Sequence, residues 1–250
     1  MNKWLPVFML TVCAAVPVWS QPGRLKLTEV VDVPTADSMA PADMHINLRM
    51  YPKGGFLTSV LVGLSERFAI GVSYGGENII GTGEPNLNPQ PCAHIRYQLF
   101  REEFLFPAIC IGFNSQGYGG FNKKLDRYDV KSRGFYAVAT KNTSFLGGLG
   151  LHGGISYSTE TDDGDKTPDI FVACHKQLNQ QLVILAEYDV AWNDNSGDAL
   201  GSGKGYLNCG IRWSFADQIF VEFDWKDILE NRGSGRGNSR EVKIMYTTFL

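Results

Sequence analysis

A chain of 250 residues with 44% hydrophobic and 20% charged residues has room for one large β domain or two small ones, and this one reads as one. Such ordinary values do not exclude a membrane protein, because only alternate residues of a transmembrane barrel meet lipid. A net charge of −3 gives no reason to expect a nucleic-acid partner, and 28 Gly with 12% aromatic residues favour strands, tight turns and interfacial rings over helices.

Residues 1–20 read as an export signal. Lys3 supplies the positive start, and Trp4 to Val16 is an apolar run shorter than the roughly 20 residues of a spanning helix. Val18 and Ser20 suit cleavage before Gln21. Cys13 follows Leu10, Thr11 and Val12, an imperfect lipoprotein box because Val stands where a small residue is expected. Residues 21–43, interrupted by Pro22, Pro34 and Pro41, are expected to form an extended periplasmic lead-in, with the barrel domain over 44–250.

From Met44 the chain alternates. Met44, Ile46, Leu48 and Met50 oppose His45, Asn47, Arg49 and Tyr51, which is the period of a strand with one apolar face. Further strands are expected over Phe56 to Leu64, Phe68 to Gly75, Pro91 to Arg101 and Phe106 to Asn114. Arg133 to Lys141, Gly147 to Ser158, Asp169 to Gln177 and Gln181 to Trp192 continue the series. The last three segments alternate most regularly. Leu207, Cys209, Ile211, Trp213 and Phe215 share one face, as do Ile219, Val221, Phe223 and Trp225, and then Val242, Ile244, Tyr246 and Leu250. The chain is expected to stop in mid-strand, with Phe249 and Leu250 resembling the apolar or aromatic end that barrel-insertion machinery favours, although the final residue is Leu rather than Phe.

These segments have about the 9 to 11 residues that cross a bilayer at barrel tilt. Their connections alternate between short turns, near Ser65, Glu102, Asn142, Asn179 and Ala216, and longer loops over 76–90, 115–132, 159–168, 193–202 and 227–239, with Pro52 to Gly55 the short exception among the latter. That alternation predicts an all-β, single antiparallel up-and-down transmembrane barrel of about 12 strands, with both ends in the periplasm. An Arg on the lipid face near the midplane would cost roughly 2–4 kcal/mol, so the polar stripes belong inside. The lumen-lining candidates are Arg49, His94, Arg96, His152, Glu187, Asp189, Arg212, Glu222 and Asp224. Arg49, Arg96 and Arg212 are expected to meet Glu187, Glu222, Asp224 and Glu241. These charges either neutralise one another in a wet interior or line a path for a sugar-like or anionic solute.

No catalytic, metal or cofactor site is expected. His152 and Ser156 share a strand face at a separation of roughly 13 Å, too far for an activating hydrogen bond. His45, His94 and His175 lack zinc spacing, and Gly81-Thr82-Gly83 has no following helix to cradle phosphate. Asp162, Asp163 and Asp165 read as a solvated acidic loop rather than a Ca²⁺ site. Cys92 and Cys110 can face each other across a hairpin, which allows a disulfide.

Val31-Asp32-Val33-Pro34-Thr35-Ala36-Asp37-Ser38-Met39-Ala40-Pro41, followed by the hairpin around Gly63-Leu64-Ser65-Glu66-Arg67-Phe68, resembles the YjbH-like outer-membrane barrel proteins associated with exopolysaccharide production. In that family a Pro-Thr-Ala segment precedes the barrel, and Pro34, Thr35 and Ala36 match it; the likeness covers about Val31 to Tyr157. The resemblance implies an envelope role connected with polysaccharide. The expected function is therefore a non-enzymatic outer-membrane component or narrow pore linked to polysaccharide export. The alternatives are a plugged structural or binding barrel, with the lead-in folded inside, and a lipid-active enzyme. The expected partners are outer-membrane lipid, the insertion machinery through the C-terminal strand, and polysaccharide.

Overall fold

Strands with one apolar and one polar face can satisfy every backbone group in lipid only by closing into a ring, and twelve strands do so here. The structure is a computed structural model that describes residues 27–144, 147–232 and 238–250; the export signal, Cys13 and the start of the lead-in lie outside those residues. The barrel strands are β1 (Asp43–Tyr51), β2 (Gly55–Gly63), β3 (Phe68–Glu77), β4 (Cys92–Phe100), β5 (Ala108–Asn114) and β6 (Gly134–Ser144). They continue as β7 (Gly148–Ser158), β8 (Asp169–Gln177), β9 (Leu182–Asp189), β10 (Tyr206–Ala216), β11 (Ile219–Lys226) and β12 (Ser239–Phe249). Each pairs antiparallel with its neighbours in sequence, and β12 closes on β1 from Asp43↔Phe249 to Met50↔Val242. Among the described residues no barrel strand is left with an unpaired edge.

The direction of the faces decides whether this is a membrane barrel. Ile211, Trp213 and Phe223 are 49%, 42% and 56% exposed, whereas Arg212 and Glu222 between them are 5% and 0% exposed. The oily stripe looks out and the charged stripe looks in. Aromatic side chains ring both rims, with Phe100, Phe104, Phe106, Phe215 and Phe249 at the short-turn end and Tyr74, Phe135, Tyr157, Trp192 and Trp225 at the long-loop end. Those are the depths at which amphipathic rings sit in a bilayer. No helix among the described residues is long and apolar enough to cross a membrane; the crossing is made by strands. A closed barrel with this exterior is an outer-membrane protein. Ile211→Arg, at the centre of β10, is expected to lower the unfolding free energy in lipid vesicles by about 2–4 kcal/mol, read from urea titrations.

Several details differ from the sequence expectations. Cys92 and Cys110 are both free. The register of β4 and β5 sets Cys110 opposite Gln98 and His94 opposite Asn114, so Cys92 lies beyond the paired stretch. The loop after β5 is not plain loop: Tyr118–Asn122 and Arg127–Val130 form a small hairpin that reaches into the outer mouth. The acidic loop after β7 is not solvated, since Asp163 and Asp165 are buried. The largest difference concerns the lead-in, which takes the alternative expectation of a segment folded inside. Its described part, 27–42, does not run out as an extended periplasmic segment but is packed within the barrel. Leu27, Val30, Val31, Val33 and Ala36 form one apolar cluster with Ala108, Cys110, Val138, Phe171, Ala173, Val183 and Leu185, so the hydrophobic core of this protein lies in its lumen. Burying Leu27, Val30 and Val31 is worth roughly 1.5–3 kcal/mol each.

Candidate functional site

The buried segment is a hairpin. The Val30 amide donates to the Val33 carbonyl at 3.0 Å and the Thr35 amide to the Thr28 carbonyl at 3.2 Å, with Glu29 and Pro34 bridged. The apex at residues 31–32 faces the long-loop end. The chain reaches this hairpin from the short-turn rim, where the Leu250 amide bonds the Ala42 carbonyl and the Ala42 amide bonds the Gly63 carbonyl, each at 2.8 Å. Ala42 turns the chain from lumen to wall at φ 67°. Gly63 makes room: a Cβ there would stand 2.1 Å from the Ala40 carbonyl oxygen, so only glycine fits where the segment enters.

The lumen wall holds the hairpin differently on its two sides. The β5–β9 side supplies the apolar contacts, from Ala108, Cys110, Val138, Phe171, Ala173, Val183 and Leu185. Polar and charged groups on both sides bind the hairpin's backbone. Arg96 donates to the carbonyls of Thr28 at 3.0 Å, Thr35 at 2.8 Å and Asp37 at 2.7 Å. The Gln98 amide reaches the Ala36 carbonyl at 2.6 Å. Glu187 Oε2 accepts the amides of Asp32 at 2.8 Å and Val33 at 3.0 Å, while its Oε1 is held by Asn208 at 2.7 Å. The Ala36 amide donates to Thr140 Oγ1 at 2.7 Å; that hydroxyl is bonded to His152 Nδ1 at 2.9 Å, and His152 Nε2 to His175 Nδ1 at 3.0 Å.

A second layer carries ion pairs. Arg212 bonds Glu222 and also the Glu29 carbonyl at 3.3 Å. Lys243 pairs with Glu222 at 2.8 Å and Asp224 at 3.1 Å and donates to the Val31 carbonyl. Arg49 pairs with Glu241 at 2.5 Å and with the hairpin's Asp32 at 2.9 Å, and Lys226 also binds Asp32. Charged groups buried this deeply are tolerated only when each has a partner.

The nine lumen candidates thus separate into two groups. Arg49, Arg96, His152, Glu187, Arg212, Glu222 and Asp224 surround the hairpin. His94 and Asp189 face inward but serve the rim, His94 through Ser73 at 2.8 Å and Asp189 by accepting the Ala191 amide at 2.8 Å. Of the expected pairings, Arg49–Glu241 and Arg212–Glu222 form, whereas Arg96 takes carbonyls and Glu187 takes amides. Sequence reasoning missed Asp32, Glu29 and Tyr118 altogether. Lys226 and Lys243 were legible in principle, since they share faces with Glu222, Asp224 and Glu241.

Beside the hairpin runs a cavity of about 1180 Å³. It touches Asp43, Met245 and Thr247 near the short-turn rim and Lys53, Asn122 and Arg232 near the long loops, with both signs of charge between. The outer mouth is narrowed by interlocked loops. Arg127 pairs with Asp163 and Asp194 at 2.7 Å each, and Lys131 with Asp163 at 2.8 Å. Glu160 accepts the amides of Tyr128, Ser132 and Arg133; burial pushes its carboxyl above the usual range, and the amides from Tyr128 and Arg133 offset part of that. Among the described residues no group of three or more metal-ligating side chains comes together. Asp163→Asn weakens two charged contacts, so a local loss of about 1.5–3 kcal/mol is expected. It should appear as faster amide exchange over 127–131 with an unchanged barrel.

No family model and no curated protein matches the sequence, but solved structures share the fold. The KdgM porin in complex with disordered oligogalacturonate aligns at TM-score 0.50 and 10% identity, over 83% of this chain and 99% of that one. A second KdgM porin structure gives 0.49 and the NanC porin 0.45, each at 10% identity, with the same 83% and 99% coverage. At that identity the likeness is one of architecture. The chain is a porin-like outer-membrane β-barrel whose lumen holds its own N-terminal hairpin.

Proposed function

We propose that this barrel is a non-enzymatic passage for small acidic saccharides across the outer membrane, throttled by the hairpin at 27–37. The observation that carries the reading is the cavity of about 1180 Å³ alongside the hairpin, which touches residues at both rims and is lined by the cations Arg49, Arg96, Arg212 and Lys226. One fold relative is described with oligogalacturonate, a chain of carboxylate-bearing sugars, and Arg or Lys side chains in a narrow, partly desolvated conduit suit such solutes. The resemblance of 31–41 to YjbH-like proteins supplies the link to envelope polysaccharide. Contact with the insertion machinery through β12 belongs to the same reading.

Liposome swelling tests it. Vesicles carrying the full chain are expected to admit galacturonate faster than glucose and to exclude long oligomers; swelling equal to that of empty vesicles with both sugars would reject passage. A second reading, a closed structural or binding barrel, is favoured by the number of wall groups that grip the hairpin. It would be supported by silence in the same assay together with intact heat-modifiable migration.

A further inference from the structure

The apex of the hairpin places a carboxylate between two buried cations of the wall. Asp32 is bound by Arg49 and Lys226, and the three side chains are only 8%, 6% and 5% exposed. Arg49 does not depend on Asp32 for its position, because Glu241 on the neighbouring strand holds its Nε at 2.6 Å. Lys226 has no other ion pair among the described residues. The ring of Tyr118 backs both cations, with its centroid 4.6 Å from the Arg49 guanidinium carbon and 5.2 Å from Lys226 Nζ. Its hydroxyl donates to the Asp32 carbonyl at 2.7 Å. Arg49, braced by the Glu241 carboxylate, and Lys226, backed with it by the Tyr118 ring, remain aimed when their shared ligand leaves. All four residues border the cavity, so the site can be reached by a solute.

The geometry points to Arg49, Lys226 and Tyr118 as a carboxylate-binding subsite of the lumen, occupied in this state by Asp32 as a built-in competitor. A solute carboxylate takes over the two cations, and the hairpin loses the charge contact that holds its apex. The remaining wall grips on 28–37, from Arg96, Gln98, Thr140, Glu187, Arg212 and Lys243, are hydrogen bonds to backbone and stay available for return. Binding of an acidic saccharide and loosening of the hairpin are therefore coupled, each favouring the other. This subsite rests on the passage reading for its biological meaning, but its binding chemistry is tested separately.

The probe is sodium glucuronate, with glucose as the uncharged control, on full-length protein refolded in detergent. In calorimetric titrations Asp32→Asn is expected to bind glucuronate at least tenfold more tightly than the wild type, because the competitor's charge is gone. Adding Arg49→Gln to that variant should abolish the gain, and glucose should distinguish none of the three. Heat-modifiable migration establishes that each variant is folded. The wild type supplies a reading that needs no substitution: saturating glucuronate should speed amide exchange at Asp32 and Val33, and glucose should not. Equal glucuronate affinity in wild type and Asp32→Asn, or unchanged exchange at saturation, would overturn the subsite. Protein that shows the affinity shift and yet admits no sugar into liposomes would sink the passage and leave the subsite standing. Sugar entry without either shift would do the reverse.

Discussion

Deleting residues 27–37 while leaving β1 intact is expected to raise single-channel conductance in planar bilayers on the order of tenfold over the full chain. Twelve strands lie between the eight whose interior is filled by side chains and the sixteen or more that leave an open aqueous channel. In such a barrel a hairpin of this size determines whether a wide path exists. Its removal uncovers Arg96, Glu187 and Thr140, whose partners are backbone atoms of the hairpin; water can serve them equally well. It also wets the apolar patch that includes Val138, Phe171 and Leu185. That weakens the barrel without opening its ladder, because strand pairing is continuous around the ring. The deleted protein should therefore still migrate as a folded barrel. Conductance equal to that of the full chain would show instead that the outer loops close the path, with the Arg127–Asp163–Asp194 cluster as the seal.

The barrel was legible because lipid imposes a strict rule, that polar and apolar residues alternate wherever a strand crosses, and a period of two survives in sequence with no knowledge of neighbours. The same alternation placed Arg49, Arg212 and Glu222 inside. It could not say what they touch. Arg96 was expected to find a carboxylate and instead holds three carbonyls of the hairpin, a choice that depends on a segment with no period of its own. Val30-Val31-Asp32-Val33-Pro34 is short and proline-broken, and its partners lie far away in sequence: Glu187 bonds Asp32, and Lys243 bonds Val31. One signal was present. Phe171, Ala173, Val183 and Leu185 are apolar on the inward face, where a water-filled lumen asks for polar residues. An apolar patch there implies something dry against it, and the apolar run at Val30 and Val31 is what fits. Tyr118 was hidden for a similar reason, since the glycine-rich loop that carries it reads as surface.

Glu222→Ala is expected to cost about 3–5 kcal/mol of barrel stability. Glu222 is 0% exposed and serves two cations at once, Arg212 and Lys243. Truncating it leaves Arg212 without its carboxylate and Lys243 dependent on Asp224 at 3.1 Å, so positive charge is stranded in a site that water reaches poorly. The loss does not stay in the wall. Arg212 also donates to the Glu29 carbonyl and Lys243 to the Val31 carbonyl, and cations that have lost their anchor no longer hold those oxygens in place. The hairpin should loosen as the barrel weakens, so urea titration and amide exchange over 29–31 should change together. Glu222→Gln keeps the shape and one of the two acceptor oxygens but not the charge, and should recover only part of the loss. If Glu222→Ala unfolds at the wild-type urea concentration, the pairs at Arg212 and Lys243 contribute nothing net. The hairpin would then be held by its apolar face, against Val138, Phe171 and Leu185, and by the backbone grips of Arg96, Glu187 and Thr140.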